Sequence, residues 1–250
     1  MEIPLLLLER LAEAQKVVVL TGAGVSAESG IKTFRDPDGL WAKFNPAELA
    51  SADGFMSNPE LVWSWYQHRR EIIYSTKPNP GHYAIAQMEK LFPHFTLITQ
   101  NVDRLHQSAG STTVYELHGN IIDNHCMNCK KPYTEEIDLQ SKQPPSCPEC
   151  GGKIRPSVVW FGEMLPYDTL MKAQHESASC DVFFSVGTSG EVYPAADLPI
   201  IALRSGALLV EVNPNDTVLS RAAHIRLKAP SGVALPILIQ EFNNYKRKNT

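Results

Sequence analysis

No apolar run in this chain approaches the roughly 20 residues that a helical membrane crossing needs. Nothing at the N-terminus has the order of a signal peptide. The short run Leu5 to Leu8 is bracketed by Glu2, Glu9 and Arg10 and reads as one face of a short helix. A basic excess is missing too. Lys and Arg number 23 against 27 Asp and Glu, a formal net charge of -4, so no overall field gathers nucleic acid. A basic protein substrate is the better-matched partner. Cysteine is scarce, and four of the five stand in paired CxxC units, a usage that suits a reducing compartment and a metal rather than disulfides. Internal repeats and low-complexity tracts are absent. These absences predict a soluble, cytoplasmic chain, expected as a monomer.

What is present is a series of buried-strand signals. Val17 to Leu20, Phe95 to Thr99, Val114 to Leu117, Val182 to Val186 and Leu208 to Val212 are apolar, β-branched runs, each followed by glycine or small polar residues; His224 to Leu227 is a shorter sixth. Helical patterns at Gly81 to Leu91 and Thr169 to Ser177 separate some of them. The alternation predicts an α/β fold with a parallel sheet and helical crossovers. Ligands of such sheets lie beyond the carboxyl ends of the strands, so the polar tails point to one crevice. Two segments break the rhythm. Residues 36 to 80 hold a loop and an aromatic-rich helix, with Ser57 and Glu60 spaced as a capping box and Pro59 near its start. Residues 123 to 155 show no helical or strand period, and Tyr245 to Thr250 read as a frayed end.

The run Val17 to Leu20 enters Thr21-Gly22-Ala23-Gly24-Val25-Ser26. Gly22 and Gly24 allow a tight turn and a close approach to a pyrophosphate at a helix N-terminus. A dehydrogenase would add an acidic residue about 20 positions on to hold a ribose, and none stands out here. Arg35, in the following loop, is either a lid over a phosphate or a solvated charge.

Cys126-x-x-Cys129 and Cys147-x-x-Cys150, with residues 130 to 146 between them, have zinc-ribbon spacing. Four thiolates close a tetrahedral shell and leave no open position for water, so the expectation is one structural Zn²⁺. His125 is read as a bystander and Cys180 as an inert buried thiol. His118 follows the strand run Val114 to Leu117; it is either a general base facing the crevice or a buried, hydrogen-bonded histidine. Gln100, Asn101 and Asp103 follow another strand and suit ribose hydroxyls or a carboxamide, while Asp103 and His106 could equally cap and pack the next helix.

Taken in order, GAGVSAESGIKTFR, TQNVDRLHQSAG, ELHG, the two CxxC pairs, VVWFGE, GTSGEVYPAA and VEVNP resemble the motifs of the sirtuins from about Val17 to about Ser231. Lys32 departs from the family's usual proline. The resemblance implies a Rossmann-like NAD-binding domain at 1-35, 81-122 and 156-250. It also implies a cofactor loop and helical acyl-pocket module at 36-80 and a zinc module at 123-155. It implies acyl-lysine proteins as substrates and transfer of the acyl group to ADP-ribose with release of nicotinamide. His118 and Asn101 match the catalytic residues. Gly22, Ala23, Gly24, Ser26, Ala27, Thr33, Phe34, Arg35 and Trp41 match one side of the NAD site. Gln100, Asn101, Val102 and Asp103 match the nicotinamide end; Gly187, Thr188, Ser189, Asn213, Pro214, Asn215 and Ser231 match the adenosine end. Val159, Phe161, Gly162, Glu163 and Val192 match the segments between which a substrate peptide adds as a strand.

Tyr66 and Arg69 lie three apart and share a helix face. A guanidinium beside a phenol suits a carboxylate. The pair resembles the signature of sirtuins acting on succinyl- and malonyl-lysine, with plain deacetylation beside it. The alternative is that Arg69 or Arg70 pairs with Glu60 or Glu71 at the surface. Rival functions are a dehydrogenase, an ADP-ribosyltransferase and a non-catalytic zinc-containing NAD-binding module.

Overall fold

The computed structural model describes residues 1–33 and 45–249. Six parallel strands form the main sheet: β1 (Lys16–Thr21), β2 (His94–Thr99), β3 (Val114–Glu116), β7 (Val182–Val186), β8 (Leu208–Val212) and β9 (Ile225–Leu227), in the order β3-β2-β1-β7-β8-β9. The sequence reversal between β2 and β7 places a topological switch point at β1. Side chains alternate across the sheet. Val17, Val19, Phe184 and Val210 face a core closed by α1 (Leu5–Glu13), α6 (Pro80–Met88) and α10 (Ser231–Asn249). Val18, Leu20, Phe183 and Leu209 face α8 (Tyr167–Ala178) and α9 (Leu198–Arg204). Both faces being covered is why these strands read as nearly continuous apolar runs, interrupted only by single buried polar residues such as Thr96, Ser185 and Glu211. No helix among the described residues is long and apolar enough to cross a membrane.

The smaller lobe has two parts. α3 (Pro46–Leu49), α4 (Ala52–Ser57) and α5 (Pro59–Ser75) pack Phe55, Val62, Trp65 and Tyr66 against Ile121 and Trp160. Beside them β4 (Gly119–Cys126) pairs antiparallel with β5 (Pro132–Tyr133) and β6 (Ile154–Val158). The expected boundaries at 122/123 and 155/156 therefore fall within strands.

Three sequence expectations need correction. The span 123–155 holds strand after all; a register shift between Gly119 and Asn124 breaks the period of two that would have signalled it. The cap of α5 is Asn58, whose Oδ1 accepts from the Leu61 N–H at 3.1 Å, and not Ser57, which is the last residue of α4. The chain end is not frayed through 249. α10 runs to Asn249, with Lys246, Arg247 and Lys248 in its last turn, where cations suit the helix dipole.

Candidate functional site

The glycine turn comes first in the site because it sits at the switch point. After β1 the chain turns at Gly22 into α2 (Ala23–Ala27). The Gly24 N–H donates to the Gly187 carbonyl at 2.8 Å, joining the turn to the loop after β7. A Cβ on Gly24 would lie 2.7 Å from the Gly187 oxygen and 2.9 Å from its Cα. Glycine is thus required for two loops to cross, in addition to any approach by a phosphate. Gly24→Ala is expected to lower stability by about 1–3 kcal/mol, since the obstructing atoms are backbone and cannot rotate away. Denaturant midpoints of the two proteins measure it; an unchanged midpoint would count against the close crossing.

The loops after the strands meet as expected and line one cleft of about 1080 Å³, the size of a large ligand site. Gly22, Ala23, Gly24, Ala27 and Thr33 line it from the first loop, and Gln100, Asn101 and Val102 from the loop after β2. Gly187, Thr188 and Ser189 line it after β7; Asn213, Pro214, Asn215 and Ser231 complete that end. Tyr66, Arg69, Val159, Phe161, Gly162, Glu163 and Val192 line the remainder. Ser26 and Asp103 stand behind the wall: Ser26 Oγ donates to Asp103 Oδ2 at 2.7 Å and accepts from Asn101 Nδ2 at 3.2 Å. Asp103 also accepts from the Leu105 N–H at 2.9 Å, so it caps the following turn as well as bracing Asn101 through Ser26. Phe34, Arg35 and Trp41 lie outside the described residues.

His118 lines the cleft, and its Nδ1 is 3.1 Å from the Gln100 carbonyl. A carbonyl only accepts, so in the neutral ring Nδ1 carries the proton and Nε2 is left as the basic nitrogen. Burial pushes the imidazole below its ordinary pKa, with the Gln100 carbonyl working against that shift. The ring is therefore neutral at pH 7, a proton acceptor held in one tautomer. The His118 carbonyl accepts from the Val159 N–H at 2.9 Å, tying this residue to the segment that follows β6.

Also in the lining, Tyr66 and Arg69 are both buried on α5. The Arg69 guanidinium carbon is 4.9 Å from the Trp65 ring centroid. Burial pushes its pKa down, while the nearby Tyr66 and Asp103 act to raise it. Burial pushes the Tyr66 phenol up, so it stays protonated. Among the described residues, Arg70, in contrast, neither lines the cleft nor pairs with a carboxylate at the surface. It is buried and donates to the Ile121 carbonyl at 2.8 Å, to Gln67 and to Asn124, bolting α5 to β4.

Residues that sequence reasoning missed include Glu28, Ala50, Trp65 and Trp160, all in the cleft lining. Glu28 Oε1 accepts from Ser231 Oγ at 2.8 Å and from the Gly232 N–H at 2.9 Å, which fixes the start of α10 beside α2. Its place inside a glycine-rich motif was the only available signal.

The four paired cysteines converge with their sulfur atoms all within 4.8 Å of one another. Cys126 and Cys150 sulfurs are 3.5 Å apart, and those of Cys129 and Cys147 are 3.7 Å apart. A tetrahedron with Zn–S near 2.3 Å has edges of about 3.8 Å, so the donor set fits one structural zinc. Each knuckle closes alike: Lys130 N–H to the Cys126 carbonyl at 3.1 Å, Gly151 N–H to the Cys147 carbonyl at 2.9 Å. Lys130 and Gly151 both have positive φ, +60° and +71°. His125 is turned to Ser157 Oγ at 2.9 Å and does not join the cluster. Cys180 is a buried thiol pushed up to about 12, too high to ionise.

Comparison with known proteins agrees with this geometry. The model of the Sir2 family matches residues 22–194. A protein of Aquifex aeolicus (strain VF5) named NAD-dependent protein deacylase is 52% identical over 223 residues, 88% of this chain and 93% of that one. Among solved structures, a Sir2 homolog–NAD complex superposes with a TM-score of 0.91 at 42% identity, over 98% of this chain and 95% of the other. A Sir2 structure with deacetylated p53 peptide and 3′-O-acetyl ADP ribose superposes with a TM-score of 0.83 at 37% identity, covering 94% and 96%.

Proposed function

The chain belongs to the Sir2 family and is an NAD-dependent protein deacylase, and from that premise we propose that it removes succinyl and malonyl groups from lysine as well as acetyl. The observation that carries the acidic preference is the pair Tyr66 and Arg69, buried on one face of α5 and lining the same cleft as His118. A fixed guanidinium and a neutral phenol proton together bind a carboxylate, and their burial strengthens both contacts relative to water.

When bound, NAD would supply an electrophilic ribose carbon: its bond to nicotinamide breaks, nicotinamide leaves, and the ADP-ribose remainder accepts the acyl group as O-acyl-ADP-ribose. The chain's own contributions divide by position. Gly22 and Gly24, whose own N–H groups bond the Val186 and Gly187 carbonyls, let the backbone at the start of α2 approach a pyrophosphate closely, and Thr188, Ser189 and Asn213 line the adenosine end. Asn101, backed by Ser26 and Asp103, holds the nicotinamide ribose and carboxamide. His118 Nε2 takes a proton from a ribose hydroxyl so that the hydroxyl oxygen can attack the acyl carbon. Phe161 to Glu163 and Val192 bracket the peptide by main-chain pairing, which reads sequence loosely.

The test is mass spectrometry of one reaction: NAD with matched acetyl-lysine and succinyl-lysine peptides, using the natural chain and Arg69→Met. Arg69→Met is expected to lower succinyl turnover by about 10–100-fold, the loss of a charge-assisted bidentate contact, and acetyl turnover far less. Equal losses for both peptides would defeat the carboxylate reading.

A further inference from the structure

Along the wall of the cleft beside Tyr66 runs a chain of contacts, anchored on a buried arginine, whose role the chemistry above leaves open. Arg155, on β6, is 1% exposed. Both its terminal nitrogens donate to the Glu163 carboxylate, Nη2 at 3.0 Å, and Nη2 also donates to the Val158 carbonyl at 2.6 Å. The guanidinium carbon lies 3.3 Å from the Trp160 ring centroid. Glu163 Oε2 accepts from the Trp160 backbone N–H at 2.8 Å. The indole Nε1–H then donates to the Tyr66 hydroxyl at 2.8 Å. Trp160 is thus clamped at its backbone and across its ring, with Phe55 packed 5.3 Å away between centroids.

The direction of the last bond matters. An indole N–H can only donate, so the Tyr66 oxygen accepts and its own proton is not used. A neighbour that accepted would draw that proton away and turn lone pairs toward the cleft, repelling an acid. We propose that Trp160, clamped by Arg155 and Glu163, is a specificity-determining positioning residue: by donating to Tyr66 it leaves the phenol proton for the carboxylate of an acidic acyl group. The inference rests on the reading of Tyr66 and Arg69 given above. It also links acyl selection to peptide docking, because Glu163 belongs to the segment assigned to the peptide.

Trp160→Phe removes the N–H and keeps an aromatic ring. The readout is the ratio of kcat/KM for the succinyl over the acetyl form of one peptide. The ratio is expected to fall about tenfold, mainly through KM for the succinyl peptide. In a Tyr66→Phe background the same change should move the ratio no further, since its route is gone. A purely structural role lowers both activities together and leaves the ratio alone; that result, or additive losses in the double variant, overturns the proposal. Arg69→Met runs beside these. Selective succinyl loss in Arg69→Met with an unchanged ratio in Trp160→Phe defeats the positioning role alone. Absence of succinyl turnover in the natural chain defeats the carboxylate reading and this inference with it. Should Trp160→Phe not fold, benzothienylalanine at 160 exchanges only the N–H for sulfur and gives the same readout.

Discussion

His118→Asn should lower deacylation of every acyl-lysine by about 10²–10⁴-fold, the usual contribution of a positioned general base, equivalent to about 2.7–5.4 kcal/mol of barrier. Asparagine is the informative replacement. Its side-chain amide can still donate to the Gln100 carbonyl, which His118 Nδ1 meets at 3.1 Å, while the basic Nε2 is gone. The loss should therefore appear in turnover with the thermal midpoint nearly unchanged. The acid limb of the natural enzyme supplies a second check. The competent form is the neutral ring, so activity rises with pH through the pKa of His118. Burial is the leading cause of its shift and lowers it, with the Gln100 carbonyl opposing. The limb should lie below pH 6.5, the ordinary histidine value, and vanish in His118→Asn. Activity that survives the substitution, or an acid limb above 6.5 that persists in it, would remove His118 from the chemistry.

The sheet and the cleft were legible because their signals are local. Val17 to Leu20 and Val182 to Val186 are buried on both faces, so every residue but Ser185 is apolar and the polar tail marks the ligand end. Gly22, Gln100, Gly187 and Asn213 consequently reach one cleft. What stayed hidden depends on contacts distant in sequence. Glu28 acts on Ser231, 203 residues away, and Trp160 acts on Tyr66 across 94; neither spacing leaves a period. The β4–β6 pairing was obscured by its bulge, and the polar Asn124 is buried there with its amide satisfied by Arg70 and the Ile122 carbonyl. The last turn of α10 looked like a tail because its residues are polar. Yet Lys246 lies 5.7 Å over the Phe242 ring and Asn249 donates to the Tyr245 carbonyl at 2.8 Å, contacts that hold it as helix.

Removal of zinc is expected to abolish activity by unfolding part of the small lobe while the six-stranded sheet persists. Between Cys126 and Ile154 the only regular element is the two-residue strand Pro132–Tyr133. The core of this region is small: Trp63, Cys126, Cys147 and Ile154. Ordering such a segment opposes folding by about 1–2 kcal/mol per residue, which so few buried side chains do not offset. A structural zinc contributes on the order of 10–16 kcal/mol, comparable to the whole stability of a domain. The consequence reaches the site through α5. Gln67 donates to the Asp138 carbonyl at 2.9 Å, and Arg70 bonds Ile121 and Asn124, on the same helix that carries Tyr66 and Arg69. Cys147→Ser, or treatment with a strong chelator, should release one zinc per chain and change the fluorescence of Trp63. It should leave most far-ultraviolet dichroism intact and eliminate turnover of both acetyl and succinyl peptides. Readdition of zinc should restore the chelated protein but not the Cys147→Ser variant. Metal-free protein with full activity and an unchanged melting curve would show that packing alone orders the knuckles.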